Sequence, residues 1–361
     1  MSLQFITGGS GAGKSEYLSR LVCEESVRRP HDNFIVVVPE QYTMETQKKL
    51  VHMHSRKGIL NIDVVSFERL AYKVFEELGG GNRPVLDDTG KNLIVRRVLE
   101  KEKKKLDYFG SSIEKTGFVS ELKSVISELL QYGITPQQLG EIGENVKEKQ
   151  QLSAKLKDIR LVYEEFMAFL STNYITSEEI LDVLCGLVEK SKLIAGSEII
   201  FDGFTGFTPI QYKLMRLLLV YSKGIKISVT IDKKERPTGH EGWNNLFFMS
   251  KEMMNRLIAI CEEEGINVDD TVCVDRDINY RYEGAKDLAY LERNLFRYKG
   301  GVYTGTPENI RIYEGSNPKE ELQYIVSEIL QLTRKEGFRY RDIAVVTADL
   351  ETYGKVAANM M

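Results

Sequence analysis

Hydrophobic residues in the first eighty positions fall into short continuous runs separated by stretches with helical spacing. The run at residues 33–38 is continuous, as in a parallel strand buried on both faces, and residues 3–7 and 62–67 are predicted to be two further strands. After the first and third runs, apolar residues recur every three or four positions, which is typical of amphipathic helices. This alternation predicts a parallel β-sheet flanked by helices, the α/β class.

A long helical stretch interrupts this pattern. The glycines at 79–81 and the Asn-Arg-Pro that follows them form the clearest break in the chain. From about residue 89 to 190 nearly every apolar stripe is helical, and strand-like runs return at 198–202 and 225–231. We therefore predict a helical insertion, residues 81–190, within an α/β domain made of residues 1–80 and 191–300.

A new α/β pattern starts after Pro307. Residues 309–313 and 343–346 are predicted strands, and apolar residues with helical spacing lie between them. One βαβ unit leaves a parallel sheet unfinished. We therefore expect residues 301–361 to begin a second domain, and the chain to be a piece of a longer protein.

Composition narrows the function without deciding it. The net charge of −4 argues against a broad positive field for duplex DNA, so a nucleic-acid contact would need a local basic surface. The 4 cysteines are far apart and form no C-x-x-C pair, which indicates free thiols rather than a zinc site. No apolar run spans a bilayer and no signal-peptide pattern is visible, so we expect a cytoplasmic protein without a membrane partner.

The strongest chemical signal is a glycine-rich loop between the first strand and its helix. It fits the pattern G-x-x-x-x-G-K-[ST], in which backbone N–H groups cradle phosphates, the lysine reaches the β- and γ-phosphates, and the hydroxyl ligates Mg²⁺. The alternative, a chance glycine-rich turn, lacks this strand–loop–helix context. ATP is therefore expected to bind at Gly8, Gly9, Ser10, Gly11, Ala12, Gly13, Lys14 and Ser15.

A strand that ends in a carboxylate supplies a metal-binding residue for the predicted site, but the residue after it is not the expected general base. Residues 198–202 are an apolar strand ending in Asp202, which can serve Mg²⁺ together with Ser15. Position 203 is glycine where P-loop hydrolases often carry the glutamate that polarises water. Because a general base contributes roughly 10²–10⁴ in rate, we predict that ATP binds and is hydrolysed slowly.

Four segments in order resemble a known family. Residues 202–211, D-G-F-T-G-F-T-P-I-Q, are similar to motif II of UvrD-like helicases in the form found in AddB, a subunit of the bacterial AddAB helicase–nucleases. Residues 38–43, 65–71 and 341–346 resemble the same family at motifs Ia, Ib and IV. Each motif is short, and the ordered set is specific across nearly the whole chain.

The resemblance implies more than the residues themselves do. It implies a RecA-like P-loop domain with an inserted helical domain, then the start of a second RecA-like domain. It also implies an AddA-type partner, a role at double-stranded DNA ends in recombinational repair, and recognition of single-stranded DNA by a helicase-like region that is not the motor. The family's nuclease domain and its iron–sulfur cluster would lie beyond this chain.

Candidate DNA contacts come from the same resemblance, because segments near motifs Ia and Ib line the DNA channel of UvrD-like proteins. A second set, at residues 293–299, interleaves aromatic and cationic side chains, which suits stacking on unpaired bases, although inward packing is an equal alternative. Phe67 is equally compatible with the hydrophobic core. The candidates are Gln41, Thr43, Ser66, Phe67, Arg69, Arg297 and Tyr298.

Two departures from the motor family support weak or absent translocation. No glutamine motif precedes Gly8, and Ala348 stands near the position of a phosphate-contacting arginine. The basic run at residues 101–105 is better explained as a solvated helix face than as a DNA contact. Two other functions stay open: a small P-loop kinase, and a nucleotide-locked scaffold that does not bind DNA.

Overall fold

The computed structural model describes residues 1–79, 84–110, 112–115, 117–146, 149–176, 179–232, 234–235, 242–274, 279–296 and 300–360, without the side chains of 171–173 and 175. The chain divides into two compact units, Met1–Arg281 and Tyr282–Met361.

The first unit is built on a parallel sheet of seven strands in the order β3-β2-β6-β7-β1-β8, with β9 also paired to β1. A separate two-stranded parallel ladder joins β4 to β5. The strands are β1 (Ser2–Gly8), β2 (Asn33–Val37), β3 (Ile62–Val65), β4 (Val85–Leu86), β5 (Ile175–Thr176), β6 (Ser197–Phe201), β7 (Gly224–Thr230), β8 (Asn267–Val268) and β9 (Val272–Cys273).

Helices connect these strands, as the sequence pattern predicts. They are α1 (Lys14–Arg28), α2 (Thr43–Met53), α3 (Phe67–Leu78), α4 (Asp88–Glu102), α5 (Phe118–Gln131), α6 (Pro136–Asn145), α7 (Gln150–Asn173), α8 (Ile180–Cys185), α9 (Lys192–Ala195), α10 (Pro209–Tyr221) and α11 (Phe248–Glu264). Short 3₁₀ helices span Glu40–Tyr42, Lys103–Lys105, Val188–Lys190 and Tyr280–Tyr282. In the described ranges no helix is both long and apolar enough to cross a membrane.

The sheet is buried on both faces, which explains its continuous apolar runs. Successive side chains of β2 point to opposite faces: Phe34 and Val36 pack with α1 and α2, whereas Ile35 and Val37 pack with α3, α8, α10 and α11. The α/β class is therefore confirmed.

The helical stretch forms a second hydrophobic core of its own. Apolar residues of α4, α5, α6 and α7 pack together, and Val162, Tyr163 and Phe166 of α7 are almost fully buried. The β4–β5 ladder closes this core where the chain enters and leaves it. In contrast, α8 packs Ile180 and Leu184 into the core of the main sheet. The assignment of residues 81–190 as one inserted domain remains a prediction.

The second unit differs from its predicted βαβ pattern. The helix between the two apolar segments is present as α13 (Pro318–Lys335), preceded by α12 (Lys286–Asn294) and followed by the 3₁₀ helix Tyr340–Asp342 and α14 (Leu350–Met360). Residues 309–313 and 343–346 are not strands, and Ile312 and Val346 are 94% and 90% exposed. A strand requires a neighbour for its ladder hydrogen bonds, and none pairs with either segment in the described part of this unit. The strand predictions are therefore wrong for this structure.

The cysteines are free thiols, as expected from their spacing. Cys23, Cys185 and Cys261 are buried and Cys273 is exposed. Burial raises the pKa of Cys185 and of Cys261 to about 11, so both are held as neutral, unreactive thiols.

Candidate nucleotide-binding site

The candidate site residues follow the carboxyl ends of neighbouring parallel strands. The glycine-rich loop follows β1, the segment from Pro39 follows β2, Ser66 follows β3 and Asp202 follows β6. Because all these strands are parallel, their carboxyl ends meet at one edge of the sheet, where α/β proteins bind ligands. The fold therefore gathers at one edge residues that lie far apart in the sequence.

The loop between β1 and α1 has the backbone geometry that its glycines permit. Gly11 and Gly13 have φ values of +76° and +100°, in the left-handed region where a side chain is strained. A Cβ on Gly11 would lie 2.4 Å from Cβ of Arg281, and a Cβ on Gly13 would lie 3.3 Å from the ring of Tyr280. Only glycine therefore fits both positions without rearrangement.

Lys14 begins α1 and turns its side chain back into this loop. Its ammonium donates hydrogen bonds to the carbonyl oxygens of Gly8 and Gly9 at 3.0 and 2.9 Å, and the residue is 9% exposed. A buried positive charge next to the amino end of a helix creates a favourable environment for an anion.

Asp202 faces this loop from the end of β6, two strands away in the sheet. Ser228 of β7 donates a hydrogen bond from Oγ to Asp202 Oδ1 at 2.5 Å. The next residue, Gly203, has a φ of +84° and donates its backbone N–H to the same Ser228 oxygen at 3.3 Å. The carboxylate is thus fixed in place by the neighbouring strand.

Arg281 is a functional candidate that no sequence motif indicated. Its Nη1 donates to Ser10 Oγ at 2.9 Å, and its backbone N–H donates to the Gly11 carbonyl at 3.4 Å. Beside it, the side-chain amide of Asn279 donates to the Ser10 carbonyl at 3.1 Å. The motif pattern placed a phosphate-contacting arginine near Ala348, whereas Arg281 is the arginine that contacts the glycine-rich loop. In the sequence, Arg281 belongs to an Asn-Tyr-Arg run within a segment that has no helical or strand periodicity, so no pattern pointed to its role.

Lys14, Asp202 and Arg281 line one open cleft of about 430 Å³. The cleft combines cationic, hydroxyl and carboxylate side chains, which suits a phosphate ester with a hard metal ion. Among the described residues no group of three or more His, Cys, Asp or Glu could hold a metal alone. Mg²⁺ fits such a site, because it takes one or two protein oxygens and completes its shell with phosphate and water. Lining residues include Ser10, Lys14, Ser15, Lys49, Asp202, Ser228 and Arg281.

Two of the candidate DNA residues are exposed at this edge. Gln41 lies in the 3₁₀ helix after β2 and is exposed. Arg69 is on α3, where its Nε pairs with Glu40 Oε1 at 3.0 Å and its side chain is 58% exposed. Both side chains are accessible to a ligand that crosses this part of the edge.

The other three candidates after β2 and β3 are buried and have internal partners. Thr43 donates from Oγ1 to the Glu40 carbonyl at 2.9 Å, and Ser66 caps α3 by accepting from the Arg69 N–H. Phe67 packs against the rings of Phe201, Phe204 and Phe207 and belongs to the hydrophobic core. In this conformation their side chains position the loops rather than face a ligand.

The two basic segments of the sequence, at residues 293–299 and 101–105, are considered separately. Arg297 and Tyr298 lie outside the described residues. In the run at 101–105, Lys101 pairs with Glu165 and Lys105 with Glu102, each at 2.6 Å, and the three lysines of the 3₁₀ helix are exposed. The hydrogen bond to Glu165, together with the charge of that carboxylate, is the main cause of a raised pKa at Lys101. This run is therefore a solvated, ion-paired helix face.

Comparison with known proteins adds the family. A family model described as "ADDB, N-terminal" matches residues 5–292. Proteins named as a subunit of an ATP-dependent helicase/deoxyribonuclease are 43% identical in Lachnoclostridium phytofermentans and 36% identical in Caldanaerobacter subterraneus, each over 99% of this chain. The matches cover 31% and 30% of those relatives, so the chain spans about a third of their length. From the family match and these identities, the chain belongs to the AddB family, in the region that the family model describes as N-terminal.

Proposed function

We propose that this chain is the helicase-like, ATP-binding part of an AddB-type protein, and that it holds ATP–Mg²⁺ and single-stranded DNA at the same edge of its sheet. The observation that supports ATP binding best is the enclosure of the Lys14 ammonium in a glycine-rich loop, across one cleft from Asp202.

The chain's own groups divide the work of binding. The loop N–H groups and the Lys14 ammonium would contact the phosphates, once Lys14 exchanges the Gly8 and Gly9 carbonyls for phosphate oxygens. Ser15 and Asp202 would hold Mg²⁺, Ser15 directly and Asp202 through water. When bound, the ion neutralises phosphate charge and orients the phosphate chain. Arg281 would supply a further cation beside Ser10.

Hydrolysis is proposed to be weak. The position after Asp202 is a glycine with φ +84°, so a glutamate there would be strained as well as absent. Glu16 is the other described carboxylate that lines the cleft, and it is paired with Lys49 at 3.0 Å. Neither feature provides a general base aimed at an attacking water, in agreement with a nucleotide-holding role rather than a motor.

DNA engagement is proposed to centre on Gln41 and Arg69. An exposed cation and an exposed amide at the ligand-binding edge suit a single strand, which needs a few local contacts instead of a broad positive field. The wider role rests on the relatives' name: an ATP-dependent helicase/deoxyribonuclease, here acting with an AddA-type partner on DNA ends. The nuclease and its iron–sulfur cluster are assigned to the remaining length of such a protein.

The test is calorimetric titration of ATP with Mg²⁺ into the chain and into its Lys14→Ala variant. We expect measurable affinity in the parent chain and none in Lys14→Ala. Lys73→Ala is the matched control, because Lys73 pairs with Asp63 outside the cleft and its loss should not change binding. Circular dichroism checks that each variant is folded. Equal affinity in Lys14→Ala and the parent chain would refute the site.

A phosphotransfer assay and an oligonucleotide-binding assay at several salt concentrations separate the alternatives. A small kinase would transfer phosphate to an acceptor, and a nucleotide-locked scaffold would bind ATP without any salt-dependent affinity for oligonucleotides. Retention of single-stranded DNA that weakens as salt rises favours the AddB-type role.

A further inference from the structure

Ser228 occupies the strand between the two strands that carry the candidate site. In the sheet order β6-β7-β1, it is paired with Ile6 of β1 and follows the residue of β7 that is paired with Phe201 of β6. Its side chain is almost fully buried and lines the nucleotide cleft. A hydroxyl here lies between the glycine-rich loop and Asp202, although no sequence motif singled it out.

The hydroxyl makes two hydrogen bonds with different directions. A serine has one O–H proton, and Ser228 donates it to Asp202 Oδ1 at 2.5 Å, the short distance of a charge-assisted bond. The same oxygen accepts the N–H of Gly203 at 3.3 Å. One hydroxyl therefore holds both the carboxylate and the left-handed turn that follows it.

This arrangement fixes the orientation of the carboxylate. Because Ser228 holds Oδ1, Asp202 would be presented to a Mg²⁺-bound water in one orientation. Without the hydroxyl, the carboxylate could rotate and Oδ1 and the Gly203 N–H would each lose a partner. We propose that Ser228 is a positioning residue that orients Asp202 for Mg²⁺, which deepens the proposed function and rests on it.

The test compares ATP affinity with Mg²⁺ and with EDTA, by calorimetry on the whole chain. Ser228→Ala should weaken binding by about ten-fold or more with Mg²⁺, the usual effect of losing one hydrogen bond to a charged group. Binding in EDTA should be unchanged, because Asp202 then has no metal to hold. A merely structural role would lower both affinities together and would overturn the proposal.

Further variants keep the result interpretable. Ser228→Thr retains the hydroxyl on a strand that accepts β-branched residues, so it should restore most of the Mg²⁺ effect. Ser228→Cys replaces the hydroxyl with a weak donor and should behave as Ser228→Ala does, including where the alanine variant folds poorly. The control is Ser222→Ala, which removes a buried serine hydroxyl near the opposite end of β7 and should change neither affinity.

A double variant tests whether Ser228 affects Mg²⁺-dependent ATP binding through Asp202. In an Asp202→Asn background, Ser228→Ala should cause no additional loss with Mg²⁺; an additional ten-fold loss would show that Ser228 acts elsewhere. A parent chain that binds no ATP would refute the proposed function together with this proposal. A parent chain whose Mg²⁺-enhanced binding survives Ser228→Ala would refute this proposal alone.

Discussion

The guanidinium of Arg281 donates a hydrogen bond to the hydroxyl of Ser10 at 2.9 Å, although the two residues lie 271 positions apart in the sequence. This contact places a cation on the glycine-rich loop. We predict that Arg281→Ala weakens ATP binding by about ten-fold, the scale of one charged hydrogen bond. Ser10→Ala removes only the tether and should have a smaller effect. Calorimetry measures the loss of ATP affinity in both variants, and a larger loss for Ser10→Ala than for Arg281→Ala would contradict the prediction.

Turnover should be low even when DNA is present. Phosphate release measured with Mg²⁺, ATP and a single-stranded oligonucleotide should stay near background, because glycine occupies position 203. A rate in the usual enzymatic range of ~1–10³ s⁻¹ would show that another residue acts as the base.

Arg69→Ala and Gln41→Ala should each weaken binding of a single-stranded oligonucleotide. For Arg69→Ala the slope of log affinity against log salt should also decrease in magnitude by about 0.7, as expected when one phosphate contact to a single strand is lost. Fluorescence anisotropy at several salt concentrations measures both quantities. Arg216→Ala is the control, because Arg216 is a partly exposed arginine on α10 that is paired with Glu263 and Glu264. Affinity for blunt duplex that equals that for single strands would contradict the placement.

Asp158 should be important for the stability of the helical core. It is 1% exposed and accepts the backbone N–H groups of residues 107, 108 and 109 at 2.8–3.1 Å. Asp158→Ala leaves these donors without their partner and should cost about 3 kcal/mol in a urea titration followed by circular dichroism. Asp107→Ala, which removes a surface ion pair with Lys157, should cost less than about 1 kcal/mol. Similar losses in the two variants would contradict this assignment.

The second unit should carry a pH-sensitive contact at Asp287. The backbone N–H of Asn309 is the main cause that lowers the pKa of this carboxyl to about 2, with help from the Asn309 side chain and the N–H groups of Leu288 and Glu308. Because the folded pKa lies below the ordinary value of about 3.9, the contact is fully present above pH ~4 and is lost as pH falls toward 2.

Amide hydrogen exchange at Glu308 and Asn309, measured from pH 5 to pH 2 and corrected for intrinsic rates, tests this contact. Protection should fall across that window in the parent chain. In Asp287→Asn it should be weaker at pH 5 and should change less with pH. Constant protection in the parent chain would contradict the assignment.

Local signals predicted the parts of the site that are local in sequence. The glycine-rich loop lies between β1 and α1, as predicted, because a strand, a turn and a helical stripe are each encoded in neighbouring residues. Arg281 and Ser228 were missed because their roles depend on strand order and tertiary contacts. Phe67 shows the same limit, since an aromatic residue after a strand has the same pattern whether it faces a ligand or the core. The strand predictions at 309–313 and 343–346 failed because strands depend on partners.

The short β4–β5 ladder has a consequence for the order of folding. Pairing of β2 with β6 must close a loop made of residues 38–196, and the entropic cost grows with loop length, by about 0.6 kcal/mol per doubling. If the helical core forms first, the ladder clamps residue 85 to residue 175 and more than halves the flexible length. Early folding of the helical core would thus shorten the loop that must be closed before β6, and with it Asp202, can join the sheet.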